Sequence, residues 1–173
     1  METVGRVPAE PGHAPPPPPR PAPPPPVAYE GVWRFTAPAL DSSVPQARHA
    51  VRELLAHQRV PADGELVESL LLIVSELVTN AVRHAALLSP EIAVEVALSR
   101  DWVRVAVEDN HPYRPVALVA DQGRTGGRGL LLVTAITEAA GGVYDVDHTA
   151  SGGKVVWAAL PLPGAATSPQ PSR

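Results

Sequence analysis

Cysteine is absent from these 173 residues. The fold therefore cannot rest on disulfides, on thiolate-bound zinc or on iron–sulfur clusters, and no cysteine nucleophile is available. Lysine is almost as scarce, with Lys154 standing alone among 14 cationic side chains. Those cations form no block, and the net charge is -4. A phosphate-backbone footprint is missing, so nucleic acid is not the expected partner. No apolar stretch is long and uninterrupted enough to span a bilayer, and the N-terminus lacks the apolar core of a signal peptide. A cytoplasmic protein without membrane contact is the expectation. Several catalytic signatures are missing too. There is no His-Glu-x-x-His zinc site and no Gly-x-Ser-x-Gly elbow, and Gly153-Lys154-Val155 has neither the upstream glycine loop nor the hydroxyl of a P-loop.

Proline, by contrast, is abundant and unevenly placed: residues 1–28 hold twelve of the 22, including Pro15 to Pro19 and Pro23 to Pro26. With almost nothing large and apolar among them, these residues are predicted to be a disordered or partly polyproline II tail, either a spacer or an arm that docks on a partner. One domain over 29–163 and a short Pro- and Ser-rich C-terminal tail over 164–173 complete the predicted organisation.

Within the domain, Val32 to Phe35 suits a short strand, and Asp41-Ser42-Ser43 offers caps for a helix over Val44 to His57. Asp63 is a plausible N-cap for a long apolar helix ending near Leu88. Glu91 to Leu98 and Trp102 to Val107 alternate as a half-buried hairpin does. Its second strand delivers Glu108-Asp109 at its C-terminal end, and no regular structure is predicted from there to Gly129. A helix over Leu130 to Ala140, closed by Gly141-Gly142, and a last hairpin around Thr149 to Gly153 follow. The predicted class is α+β, a two-layer α/β sandwich with helices on one face of a mainly antiparallel sheet.

Three polar clusters interrupt this apolar texture. Glu76, Asn80 and His84 recur every four residues on the long helix, whose other sides are almost wholly apolar; this suits a lined cleft, although a solvated helix face gives the same spacing. Asp109 at a strand end can accept a hydrogen bond from an exocyclic amine. Arg124-Thr125-Gly126-Gly127-Arg128-Gly129 runs directly into a helix, whose first backbone N–H groups suit a phosphate. Arg128 could approach that phosphate or remain a solvated loop charge.

Taken in order, these features resemble the GHKL (Bergerat-fold) ATP-binding domains, and among them the bacterial anti-sigma-factor serine/threonine kinases, over residues 31 to 162. Glu76 to His84 resembles the N box, Glu108-Asp109 the adenine box, Gly126-Gly127-Arg128-Gly129-Leu130 the lid glycine box and Gly152 to Trp157 the final strand box. The resemblance implies an ATP site in which Glu76 is the catalytic base, Asn80 holds Mg²⁺ and Asp109 binds the adenine amine. Arg83, His84, Gly126, Gly127, Arg128, Gly129, Leu130 and Lys154 would complete the nucleotide-binding set. It also implies a kinase acting on a Ser or Thr of an antagonist protein, a sigma factor as second partner and a role in transcription regulation, with homodimerisation left open. A non-catalytic, nucleotide-dependent protein-binding module is the alternative. The chain departs from the pattern twice. His111-Pro112 follows Asn110 where a Gly is usual, and Val155 stands where relatives often carry a Thr whose hydroxyl supports the adenine contact.

Overall fold

The computed structural model describes residues 29–85, 90–109, 127–150 and 152–164. Five strands, β1 (Gly31–Pro38), β2 (Glu91–Leu98), β3 (Trp102–Asp109), β4 (Val143–His148) and β5 (Lys154–Pro161), alternate with three helices, α1 (Ser43–His57), α2 (Gly64–Ala85) and α3 (Gly127–Ala139). The strands form one antiparallel sheet in the order β1-β2-β3-β5-β4. This is the expected α+β class. The last hairpin enters the sheet beside β3, so β3 and β5 pair along their whole length although 44 residues separate Asp109 from its register partner Lys154, counting from 110 to 153.

One face of the sheet is apolar by alternation. Val94 and Val96 of β2, Val103, Val105 and Val107 of β3, and Val156, Ala158 and Leu160 of β5 are buried in a single core with Leu70, Ile73, Val74 and Leu77 of α2. β-Branched side chains fill a pleated face well and account for the strand assignments. α2 is apolar around most of its circumference because α1, α3 and the sheet all pack on it. α1 needs only a stripe, supplied by Ala47, Val51 and Leu55 at four-residue spacing.

The opposite face of the sheet carries charge. Arg34 reaches Glu108 at 2.5 Å, Arg104 reaches Glu95 at 3.0 Å and also lies 5.0 Å over the Trp157 ring, and Trp157 donates its indole N–H to Asp147 at 2.8 Å. These opposite-charge and cation–π pairs let the outer face stand in water while shielding small residues such as Ala97 and Ala106.

Several boundaries differ from expectation. β1 runs three residues beyond Phe35, because Thr36, Ala37 and Pro38 pair with Ala93, Ile92 and Glu91, and an edge strand tolerates a terminal proline. Ser42 occupies the N-cap of α1 but makes no side-chain cap, and the Ser43 hydroxyl donates to the Pro38 carbonyl instead, tying α1 to β1. Asp63 does cap α2, accepting the Leu66 N–H at 2.8 Å. α3 begins at Gly127, not Leu130, so the last three residues of the predicted glycine loop form its first turn. The predicted N-terminal tail, the C-terminal tail beyond Gly164, the end of the long helix near Leu88, and Asn110 through Gly126 lie outside the described residues.

Candidate functional site

Glu76 and Asn80 sit one turn apart on α2, the first half-buried and the second buried. The first turn of α3 lies directly on Glu76. A Cβ added at Gly129 would collide with the Glu76 carboxylate oxygen, so glycine lets α3 approach with the carboxylate in this place. The carboxylate thus faces the start of a helix, where the first four N–H groups have no intrahelical acceptor and the dipole is positive.

The ends of the elements show where the strand residues stand relative to this pair. One cavity is lined together by Asp63 and Leu66 at the start of α2, Ala139 and Ala140 at the end of α3, and Pro161 and Leu162 at the end of β5. From that end, α2 rises about 21 Å to reach Asn80, at roughly 1.5 Å per residue over fourteen residues. β5 traced backwards from Pro161 spans about 23 Å to Lys154, at roughly 3.3 Å per residue. Lys154 and its partner Asp109 therefore lie at the same end of the domain as Asn80 and Gly129.

Asp109 and Lys154 both point toward the helices. Asp109 follows the buried Val103, Val105 and Val107 at two-residue spacing, and Lys154 precedes Val156 and Ala158 in the same way. Their side chains are each 1% exposed, with Lys154 Nζ 3.7 Å from Asp109 Oδ2. Burial pushes the lysine pKa down, while the neighbouring Asp109 carboxylate pulls it back up in part. Nζ nevertheless makes no hydrogen bond among the described residues. At 3.7 Å the contact with Asp109 is an ion pair, too long for a hydrogen bond.

Residues 37–160 match the model of the histidine kinase-like ATPase domain. The chain belongs to that family. Its fold is also similar to that of solved structures. These include full-length ShkA in complex with AMPPNP, at 21% identity over 76% of this chain and 32% of that one, TM-score 0.48. A histidine kinase domain from the blue-light activated histidine kinase of Erythrobacter litoralis EL346 matches at 22% identity over 72% and 61%, TM-score 0.45. The SiaB–SiaC complex from Pseudomonas aeruginosa matches at 14% identity over 75% and 89%, TM-score 0.44. The chain thus spans about a third of ShkA and three fifths of the Erythrobacter domain. No curated protein matches it.

In this histidine kinase-like ATPase domain the predicted site residues separate into groups. Glu76 meets Gly129, with Asn80 one turn away on α2, and Asp109 and Lys154 pair at the same end of the domain. Arg83 is exposed on α2, one turn beyond Asn80, and Arg128 is exposed on the first turn of α3. Gly127 opens α3, so its backbone is what it has to offer. Leu130 is 4% exposed and its side chain belongs to the core, leaving only its N–H for a ligand. His84 lies on α2, its side chain outside the described residues, as is Gly126. Glu108 turns to the outer face, where its carboxylate accepts from Arg34, while Asp109 turns to the helix-facing side. One expectation is corrected. Val155 also faces outward, beside Arg34, Glu95 and Glu108, so a hydroxyl at this position would stand on the wrong side of the sheet to support Asp109.

The donor set suits a nucleotide with Mg²⁺. No group of three His, Cys, Asp or Glu side chains that could hold a metal exists among the described residues. That is compatible with Mg²⁺, which is commonly held by one or two protein groups together with substrate phosphates and water. The buried, unbonded Nζ of Lys154 and the glycine cradle on Glu76 are features a ligand would complete.

Proposed function

We propose that the domain is a cytoplasmic, ATP-dependent regulator that transfers the γ-phosphoryl group of ATP to a Ser or Thr hydroxyl of an antagonist protein and sequesters a sigma factor. The observation that carries this reading is the seating of Gly129 on the Glu76 carboxylate, with Asn80 one turn away. Glu76 beside the amide-rich start of α3, one turn from Asn80, supports a base, a metal ligand and a phosphate cradle that act together. Asp109 accepts the exocyclic amine of the base, and the first-turn N–H groups of α3, with Arg128, hold phosphate oxygens. Asn80 would hold Mg²⁺, which when bound would neutralise charge on the phosphates, with Arg83 exposed one turn further along α2. Glu76 takes the proton of the attacking hydroxyl as its oxygen bonds to the γ-phosphorus, and the bond to the β–γ bridging oxygen breaks to release ADP. The antagonist and the sigma factor are supported by the ordered resemblance of the four boxes to anti-sigma-factor kinases.

Transfer of label from γ-labelled ATP to a co-purified protein tests the reading, with a binding titration beside it. Glu76→Gln should leave ATP binding in place while transfer falls on the order of 10² to 10⁴-fold, the range of general-base catalysis. Asn80→Ala should weaken Mg²⁺-dependent binding and transfer together. Wild-type protein that binds ATP and grips its partner in a nucleotide-dependent way, yet transfers no label, would make the domain a non-catalytic binding module.

A further inference from the structure

A buried lysine with no hydrogen bond is costly, since it offers three N–H donors and no acceptor. Lys154 Nζ is the one cationic nitrogen so placed among the described residues, whereas Arg34 and Arg104 on the outer face both reach carboxylates. A purely structural ion pair does not explain it. Buried pairs offset their desolvation only with close geometry and hydrogen bonds, and here Nζ stands 3.7 Å from Asp109 Oδ2 and makes no hydrogen bond of its own. What the pair does present is an acceptor and a donor side by side, held by strand register, pointing into the helix-facing end of the sheet.

We propose that Lys154 reads the base. With Asp109 accepting from the exocyclic amine of adenine, Lys154 Nζ donates to the ring nitrogen that flanks that amine. The inference rests on the reading of Asp109 as the base-side carboxylate. Adenine shows a donor amine next to acceptor ring nitrogens, which matches an acceptor–donor pair. Guanine at the same corner shows two acceptors, O6 and N7, and turns one of them on the Asp109 carboxylate. Base choice then comes from two adjacent side chains brought together by β3–β5 pairing.

The test is calorimetric titration of the full chain with Mg²⁺ and ATP, 1-deaza-ATP, 7-deaza-ATP, purine riboside triphosphate and GTP, for wild type and Lys154→Met. Wild type should bind one of the two deaza analogues about 10- to 100-fold more weakly than ATP, the value of a hydrogen bond to a charged group, and which one identifies the nitrogen that is read. Lys154→Met should lose ATP affinity by a similar factor and no longer distinguish that analogue from ATP, while still rejecting purine riboside triphosphate, which lacks the amine that Asp109 reads. Equal binding of ATP and both deaza analogues by wild type overturns the role of Lys154 and leaves the ATP site standing. A preference for GTP, or undiminished discrimination in Lys154→Met, also overturns it. Absence of any ATP binding by wild type removes the nucleotide site and Lys154's role together. The wild-type analogue series decides the question even if Lys154→Met fails to fold.

Discussion

At Gly129 one methyl group would meet the Glu76 carboxylate, and the obstacle is the far end of a flexible side chain, not backbone. Gly129→Ala should therefore cost little stability, since Glu76 is half-buried and can swing aside, yet phosphoryl transfer should fall as the carboxylate leaves its place. A melting temperature close to wild type with reduced label transfer is the expected pair of results; loss of both would show that the contact is mainly structural. Lys154 carries a second residue-scale prediction. Its folded pKa lies below the ordinary 10.5 because burial outweighs the attraction of Asp109. Between the folded value and 10.5 the unfolded chain holds more protons, so stability rises with pH across that window. Below the window the penalty of the buried charge is present in full. Wild type should accordingly gain stability relative to Lys154→Met as pH is raised from neutral toward 10.5, measured by urea unfolding at each pH; a difference that stays flat would contradict the buried charge.

At the scale of elements, α2 is the scaffold of the site, and its start and its register decide where Glu76 and Asn80 point. Asp63 fixes that start through its carboxylate on the Leu66 N–H. Asp63→Ala should lower the free energy of unfolding by about 1 kcal/mol, read as a lower urea midpoint with an unchanged slope. α3 is fixed at its other end. Gly141 adopts φ +71°, and Gly142 N–H donates to the Thr137 carbonyl at 2.8 Å, closing the helix in the left-handed manner and turning the chain into β4. That closure sets the axis along which the first turn of α3 meets Glu76.

For the molecule as a whole, the core formed by the described residues runs from Ala37 to Leu162. Deleting residues 1–28 should leave the melting temperature and cooperative unfolding of the domain unchanged, since that segment holds almost nothing large and apolar to add to the core. A large drop measured by differential scanning calorimetry would show that the Pro-rich segment packs on the domain.

Local order was legible in the sequence because it is written in short periods. Alternating valines announced β2 and β3, the four-residue recurrence of Glu76 and Asn80 announced their common helix face, and Asp63 and Gly141 marked helix ends by their own backbone and capping chemistry. The start of α3 was not legible, since glycine disfavours helix in an isolated chain and it is contact with Glu76 that favours close approach at Gly129. Nor could sequence alone show which neighbour of Asp109 matters. The sequence by itself determined the elements, the family boxes and the candidate residues; only the tertiary structure decided that β5 lies against β3, that Asp109 and Lys154 share the helix-facing side, and that Glu108 and Val155 face away. Side-chain alternation along a strand is a local property, whereas strand order and the buried face are set by how distant apolar surfaces find one another in the core.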